Sequence, residues 1–159
     1  MLAHDHTEID LLLAVALQRL DASDAEAFGV LDLFWARLAM HIRAEHLHLF
    51  PAVIKISEAE MLSDVPEVVE RLRRDHDFFM HELADIINAM RSITPENERD
   101  VRSDAARRVN AIKVLLTEHN AIEEQQIYTL RNFLSERENK ALLLSVAKEL
   151  ENLPPRFSK

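Results

Sequence analysis

Apolar side chains recur every three or four residues along most of this chain, which is the spacing of one face of an α-helix. In the fourth predicted helix, for example, Ile112, Leu115 and Ile122 share one face. Together with the breaks between the runs, the pattern predicts four long helices and one short one, over residues 5–20, 24–50, 65–92, 95–131 and 136–151. Because most connections are short, we expect an all-α, up-down-up-down antiparallel four-helix bundle with a short additional C-terminal helix.

Helix starts are expected where Ser or Asp is followed by Glu three residues later, since the two side chains can then bond to exposed backbone amides. A further start is expected at Thr94, which precedes Pro95. The longest break is expected to begin at Pro51 and to run to Ser63. Four capping pairs are present: Asp5 with Glu8, Ser23 with Glu26, Asp64 with Glu67, and Ser135 with Glu138.

The composition agrees with a helical fold and limits the possible functions. The chain has 159 residues, of which 48% are hydrophobic, and a single glycine, so we expect one domain over 1–159 with its bundle core at about 4–131. A formal charge of −9 makes nucleic acid and anionic membranes unlikely partners. No apolar run reaches the roughly 20 residues of a spanning helix, and no leader pattern opens the chain, so a cytoplasmic protein is expected. The lack of cysteine excludes disulfides, thiol catalysis and Cys-ligated metals.

Polar residues interrupt each of the four long apolar faces. Two His–Glu pairs with a spacing of four lie about 40° apart around their helices, so each pair projects into the core together. Measured from the loops, all of the interruptions fall within about one to two helical turns of a common level. The residues concerned are His6 in the first helix, His41 and Glu45 in the second, His76 in the third, and His119 and Glu123 in the fourth.

A cluster of buried carboxylates and imidazoles needs a compensating cation, because an unpaired buried charge costs several kcal/mol. A metal ion supplies this compensation, since neutral imidazole and ionised carboxylate are its usual ligands and a carboxylate can bridge two ions. Each histidine taken alone is better explained as an ordinary core or boundary residue. The four together with two glutamates in register favour a metal site.

These residues lie within segments that resemble the hemerythrin-like, or HHE cation-binding, family. The resemblance covers about residues 4–131 in the order of the family. Ferritin-like di-iron bundles use Glu-x-x-His instead, and no such motif lies on a core face here. The matching segments are Asp5–Asp10, His41–Glu45 continuing to Leu49–Pro51, Leu72–His76, and His119–Glu124.

The resemblance implies a site for two metal ions, with iron as the expected metal and other divalent ions also suited to the donors. By analogy, Glu45 and Glu123 would bridge the two ions. His6 and His41 would be the remaining ligands of the first ion, and His76 and His119 those of the second.

The chain also departs from the family. Oxygen-carrying hemerythrins have a second histidine four residues after the first in the third helix, where this chain has Met80, and His81 is one residue further and off the face. One ion is therefore expected to keep an open position or a water. The residue after Glu45 is often acidic in the family, whereas here it is His46, expected at the surface. Four further candidates for the site are Glu124, as the alternative to Glu123, His48, His81 and Met80. A boundary role is expected for Tyr128, and contact with the metal ligands is the alternative.

Two classes of function follow from these observations. The first is a di-iron protein that binds, senses or scavenges O₂ or NO, or that handles iron, and weak oxidase or peroxidase chemistry is compatible with it. The second is a helical interaction or structural bundle that has lost the family metal site or keeps it only in part. Either could be a monomer or a homodimer.

Overall fold

The computed structural model describes residues 1–157, which contain helices and no β-strand. The predicted all-α class is therefore confirmed. None of the helices in this part of the chain combines the length and the apolar character needed to cross a membrane. The α-helices are α1 (Leu2–Asp21), α2 (Ala27–Ala44), α3 (Phe50–Ala59), α4 (Val65–Arg91), α5 (Glu98–Ile122) and α6 (Glu136–Leu150).

Two short π-helical turns distinguish the structure from the predicted helices. The first, Glu45–Leu49, joins α2 to α3, and the second, Glu123–Ile127, leads from α5 into a 3₁₀ helix over Tyr128–Phe133. Each begins at a glutamate of the predicted site, whose carbonyl accepts a hydrogen bond from the amide five residues later. Such turns are rare in proteins, and those that occur are often found at functional sites.

The predicted break at Pro51 is wrong, because the helical chain continues from α2 through the first π turn to the end of α3. Pro51 lies in the first turn of α3, where proline is tolerated. The true break follows Ala59, where Met61 adopts a positive φ of 55°. From the sequence alone, Pro51 is a helix-breaking residue, and the π turn that precedes it cannot be seen.

Of the four predicted capping pairs, Ser135 with Glu138 forms a complete capping box at the start of α6. The prediction at Asp5 is wrong, since α1 begins at Leu2 and places Asp5 inside the helix, where it is buried. Asp64 stands before α4 without a side-chain cap bond. Ser23 lies in a turn with a φ of 53°, before a helix that begins at 27.

The start of α5 also differs from the prediction. This helix begins at Glu98, three residues after Pro95, and the side chains of Thr94 and Asn97 each accept a hydrogen bond from the other's backbone amide. Further along α5, Leu115 is 45% exposed, whereas Leu116 is buried. The apolar face advances by four residues after Ile112 and not by three, and this step keeps it in line with the polar pair that follows.

The four long helices surround a common interior. Helix α1 contacts α2 and α5, and α4 contacts the same two helices, while α6 packs against α2. The buried apolar residues form two separate clusters, one containing Ile9, Phe34 and Leu83, and the other containing Leu49 and Val53. In α1 and α4 the site histidine lies between residues of one cluster and residues of the other. In α2, His41 and Glu45 lie on either side of the boundary between the clusters, which falls between Ile42 and Ala44. The site is therefore a polar layer between two blocks of apolar core.

Candidate metal centre

The structure brings the six predicted site residues together in two groups. Within each group the nitrogen and oxygen atoms that could bind a metal lie within 4.8 Å of one another. All six residues are buried, and Glu123 belongs to both groups. The first group is His6, His41, Glu45 and Glu123, and the second is His76, His119 and Glu123.

In the first group, Nε2 of His6 lies 3.3 Å from Oε1 of Glu123, and Nε2 of His41 lies 3.4 Å from Oε1 of Glu45. When two ligand atoms each lie about 2.1 Å from a metal ion and their bonds to it form a right angle, the two atoms are about 3 Å apart. The observed separations therefore suit a shared ion.

The second group is equally close. Nε2 of His119 lies 3.1 Å from Oε1 of Glu123 and 2.9 Å from Nε2 of His76. The His76 nitrogen is also 3.4 Å from Oε1 of Glu45. Glu45 and Glu123 therefore each face histidines of both groups, which is the arrangement that two bridging carboxylates require.

The residues fit a cation because several of their atoms have no other partner. Among residues 1–157, Oε1 of Glu45, both carboxylate oxygens of Glu123 and Nδ1 of His6 are buried without a hydrogen bond. An unsatisfied buried polar atom costs about 1–3 kcal/mol, and a charged one costs more. A metal ion between the two carboxylates would satisfy the three carboxylate oxygens.

The pKa values of the two glutamates also show that their negative charges are not both compensated. Burial, together with the charge of Glu45, raises the pKa of Glu123 well above its ordinary value. Burial opposes ionisation of Glu45 as well, but the charge of His41 holds the pKa of Glu45 well below its ordinary value. Without a metal, therefore, the surroundings favour the ionised form of Glu45 and the protonated form of Glu123.

Three of the four histidines have a partner on the ring nitrogen that faces away from the group. Nδ1 of His41 lies 2.7 Å from Asp5, and Nδ1 of His119 lies 3.0 Å from Asp75. The third is His76, whose Nδ1 lies 2.8 Å from Nε2 of His46. Such partners fix the proton on Nδ1 and leave Nε2 free to bind a metal.

The sequence did not identify these three partners. Asp5 was predicted to cap the first helix. His46 was expected at the surface but is half-buried against His76. One signal was present, since Asp5 and Asp75 each stand directly before a site histidine.

Tyr128, which the sequence placed at a boundary, is buried within the first group. Its hydroxyl donates a hydrogen bond to Oε2 of Glu45 at 2.9 Å. The same oxygen lies 3.0 Å from Nε2 of His6 and 3.3 Å from Nε2 of His41. The first group therefore has a fifth polar side chain, and the second group has no counterpart to it among the described residues.

The four additional candidates lie outside the two groups. Glu124 is 43% exposed at its side chain and lies 3.7 Å from Nδ1 of His6. His48 turns to α6, where its Nε2 lies 3.3 Å from Glu149. His81 is exposed and its ring contacts the backbone oxygen of Asp77. Met80 is partly buried against the first apolar cluster.

Buried groups of histidine and glutamate in an all-α fold define a helical protein with a candidate metal site. The family model of the hemerythrin HHE cation binding domain matches residues 1–130, and the chain belongs to this family. The matched residues include the whole of both groups and end before α6. No curated protein and no solved structure matches the chain.

The metal-free protein is expected to be most stable near pH 6.5. Burial, with the charge of His41, lowers the pKa of His6 to about 3, and burial, with the charge of His76, lowers that of His119 to about 4. Burial opposes protonation of His41 too, but Glu45 and Asp5 raise its pKa to about 9. As the pH falls below 6.5, His6 and His119 take up protons in the unfolded chain before they do so in the folded chain. Acidification therefore weakens folding.

Above pH 6.5 the dependence of stability on pH reverses, because His41, whose pKa is raised to about 9, holds a proton in the folded state that the unfolded chain has already lost. Thermal melts of the chelator-treated protein from pH 4.5 to 9 should therefore show a maximum near pH 6.5. The expected loss is a few kcal/mol at each end of this range, at about 1.4 kcal/mol for each unit of pKa shift. A melting temperature that rises steadily across the whole range would contradict this interpretation.

Proposed function

We propose that this protein binds two metal ions, with iron the first candidate, and that it binds, senses or scavenges O₂ or NO or handles iron. The observation that carries this proposal is the position of Glu123, which belongs to both donor groups and whose carboxylate oxygens are buried without hydrogen bonds. In this proposal Glu45 and Glu123 bridge the ions, His6 and His41 bind the first, and His76 and His119 bind the second.

Iron suits this set of donors, since imidazole and carboxylate are ligands that it shares with other transition metals. A bound iron pair would supply electron transfer and coordination of small diatomic molecules. The protein would supply burial that keeps water away, and the contacts of Asp5 and Asp75 that orient two of the histidines.

The difference between the two groups supports binding of a small exogenous ligand at the second ion. Each ion would have two histidines and the two bridging carboxylates, but the hydroxyl of Tyr128 lies beside the first set of donors, and the second set has no such group among the described residues. Met80, at the position where oxygen carriers have a further histidine, packs against apolar core. A thioether is a poor ligand for a hard iron ion. The second ion would therefore keep a position for water, O₂ or NO.

We also infer that the four long helices alternate in direction as an antiparallel bundle. The ring of contacts among α1, α2, α4 and α5 supports this inference, as does the meeting of the polar positions of all four helices in one layer.

The experiment that tests the function is metal analysis of protein purified without chelators, combined with an absorption spectrum. We expect two iron ions per chain and ligand-to-metal charge-transfer absorption in the near ultraviolet. Addition of NO to the reduced, anaerobic protein should then change the spectrum. Protein that contains no metal, and takes up none when iron is supplied, would support the alternative of a structural or interaction bundle.

A further inference from the structure

We propose that His46 is the positioning residue of the second metal ion. In this inference, which rests on the proposed function, His46 accepts a hydrogen bond from the ring of His76 and thereby holds that ring as a ligand. His46 is not itself a member of either donor group. It follows Glu45 in the chain and lies in the first π turn.

The positions of the two rings determine where the protons must be. Nε2 of His76 points into the second group, 2.9 Å from Nε2 of His119 and 3.4 Å from Glu45. To bind a metal, this nitrogen must carry no proton, so the proton of the neutral ring is on Nδ1. Nδ1 lies 2.8 Å from Nε2 of His46, which is therefore the acceptor.

The ring of His76 is also held by packing. Phe50 stacks on it with a centroid separation of 5.8 Å and an interplanar angle of 7°. The centroid of the His46 ring lies 5.5 Å from that of Phe50, and the guanidinium of Arg73 lies over the Phe50 ring at 5.3 Å from its centroid. Phe50 thus fixes the plane of the His76 ring, and the hydrogen bond to His46 fixes its rotation within that plane.

This partner differs in charge from those of the other histidines. Asp5 and Asp75 place a carboxylate against His41 and His119, and a carboxylate makes the opposite ring nitrogen a stronger donor to the metal. A neutral imidazole orients His76 without adding negative charge. This difference in charge predicts that the second ion is bound more weakly than the first.

The test is stepwise removal of Fe²⁺ from the anaerobic protein by a competing chelator, in the wild type and in variants of His46. The wild type should release its two ions in two steps. His46→Ala should release the weaker ion at about 10–100-fold lower chelator concentration, which is the usual effect of losing such a partner, with the tighter ion unchanged. His46→Gln retains a neutral acceptor near the same position and should restore the wild-type first step. His46→Glu supplies a carboxylate and should hold the weaker ion more tightly than the wild type.

His81→Ala is the matched control, because His81 is an exposed histidine of the same helix as His76. Its release curve should match that of the wild type. The melting temperatures of the metal-free His46→Ala and His81→Ala proteins should be similar, which separates positioning of a ligand from a general loss of stability.

A wild type that binds no iron overturns the proposed function and this inference with it. A wild type that binds two ions, with His46→Ala releasing both as the wild type does or weakening both equally, overturns this inference alone.

Discussion

Replacement of Glu123 by leucine is expected to abolish binding of both metal ions. Glu123 is the residue that the two donor groups share, so its loss removes a ligand from each ion at once. Leucine has a similar size and no donor atom. Elemental analysis of Glu123→Leu should therefore find less than a tenth of the metal content of the wild type.

The same substitution should have the opposite effect on the metal-free protein. Burial and the charge of Glu45 raise the pKa of Glu123, which shows that its ionised form is unfavourable there. Both carboxylate oxygens of Glu123 are buried without a hydrogen bond, which costs about 1–3 kcal/mol, and a leucine at this position would not carry that cost. Denaturation of the chelator-treated variant should thus show a gain in the free energy of unfolding.

Glu124→Leu is the matched control for these measurements, since Glu124 is the next residue and its side chain is partly exposed. It should retain both ions. If Glu124→Leu loses the metal while Glu123→Leu keeps it, the assignment of the bridging residue is wrong and Glu124 takes that role.

Removal of metal from the wild type is expected to lower its melting temperature by roughly 8–16 °C for each ion held at a thousand times its dissociation constant. An ion bound only by the folded state adds about 4 kcal/mol of stability at that ratio. For a domain of this size, each kcal/mol shifts the melting temperature by about 2–4 °C. Paired calorimetric scans, with metal and with chelator at constant pH, measure the difference.

The Glu123→Leu variant provides the control for this measurement, because its melting temperature should not respond to chelator. Identical scans of the wild type with and without chelator, after metal loss has been verified by elemental analysis, would contradict a stabilising role for the ions.

The periodicity of the sequence predicted the all-α fold and the polar residues that converge, but not the bounds of every helix. Helical spacing is set by local geometry, so the interruptions at His76 and at His119 could be assigned to a core face from the sequence alone. The errors arose where a non-local contact or a change of helix type decided the outcome. Pro51 lies in the first turn of α3, directly after a π turn, and Asp5 is buried because a neighbouring helix supplies His41 as its partner.

The contacts around the candidate ligands were the least predictable part of the site. Asp5 with His41, Asp75 with His119 and His46 with His76 are each pairs that join different helices. No spacing along one helix predicts such a pair, since it depends on how the helices are rotated against each other.

The polar layer that separates the two apolar clusters also determines how the bundle would unfold. Apolar packing makes a core cooperative because each side chain supports its neighbours, and this support is interrupted where the layer of imidazoles and carboxylates crosses the bundle. Two ions bound within the layer would join all four long helices by strong bonds at the level where packing is weakest. Without them, we expect the end that contains Val53 and the end that contains Phe34 to open more independently of each other. The metal centre would then serve a mechanical purpose in addition to its chemistry, by making the two halves of the protein fold as one.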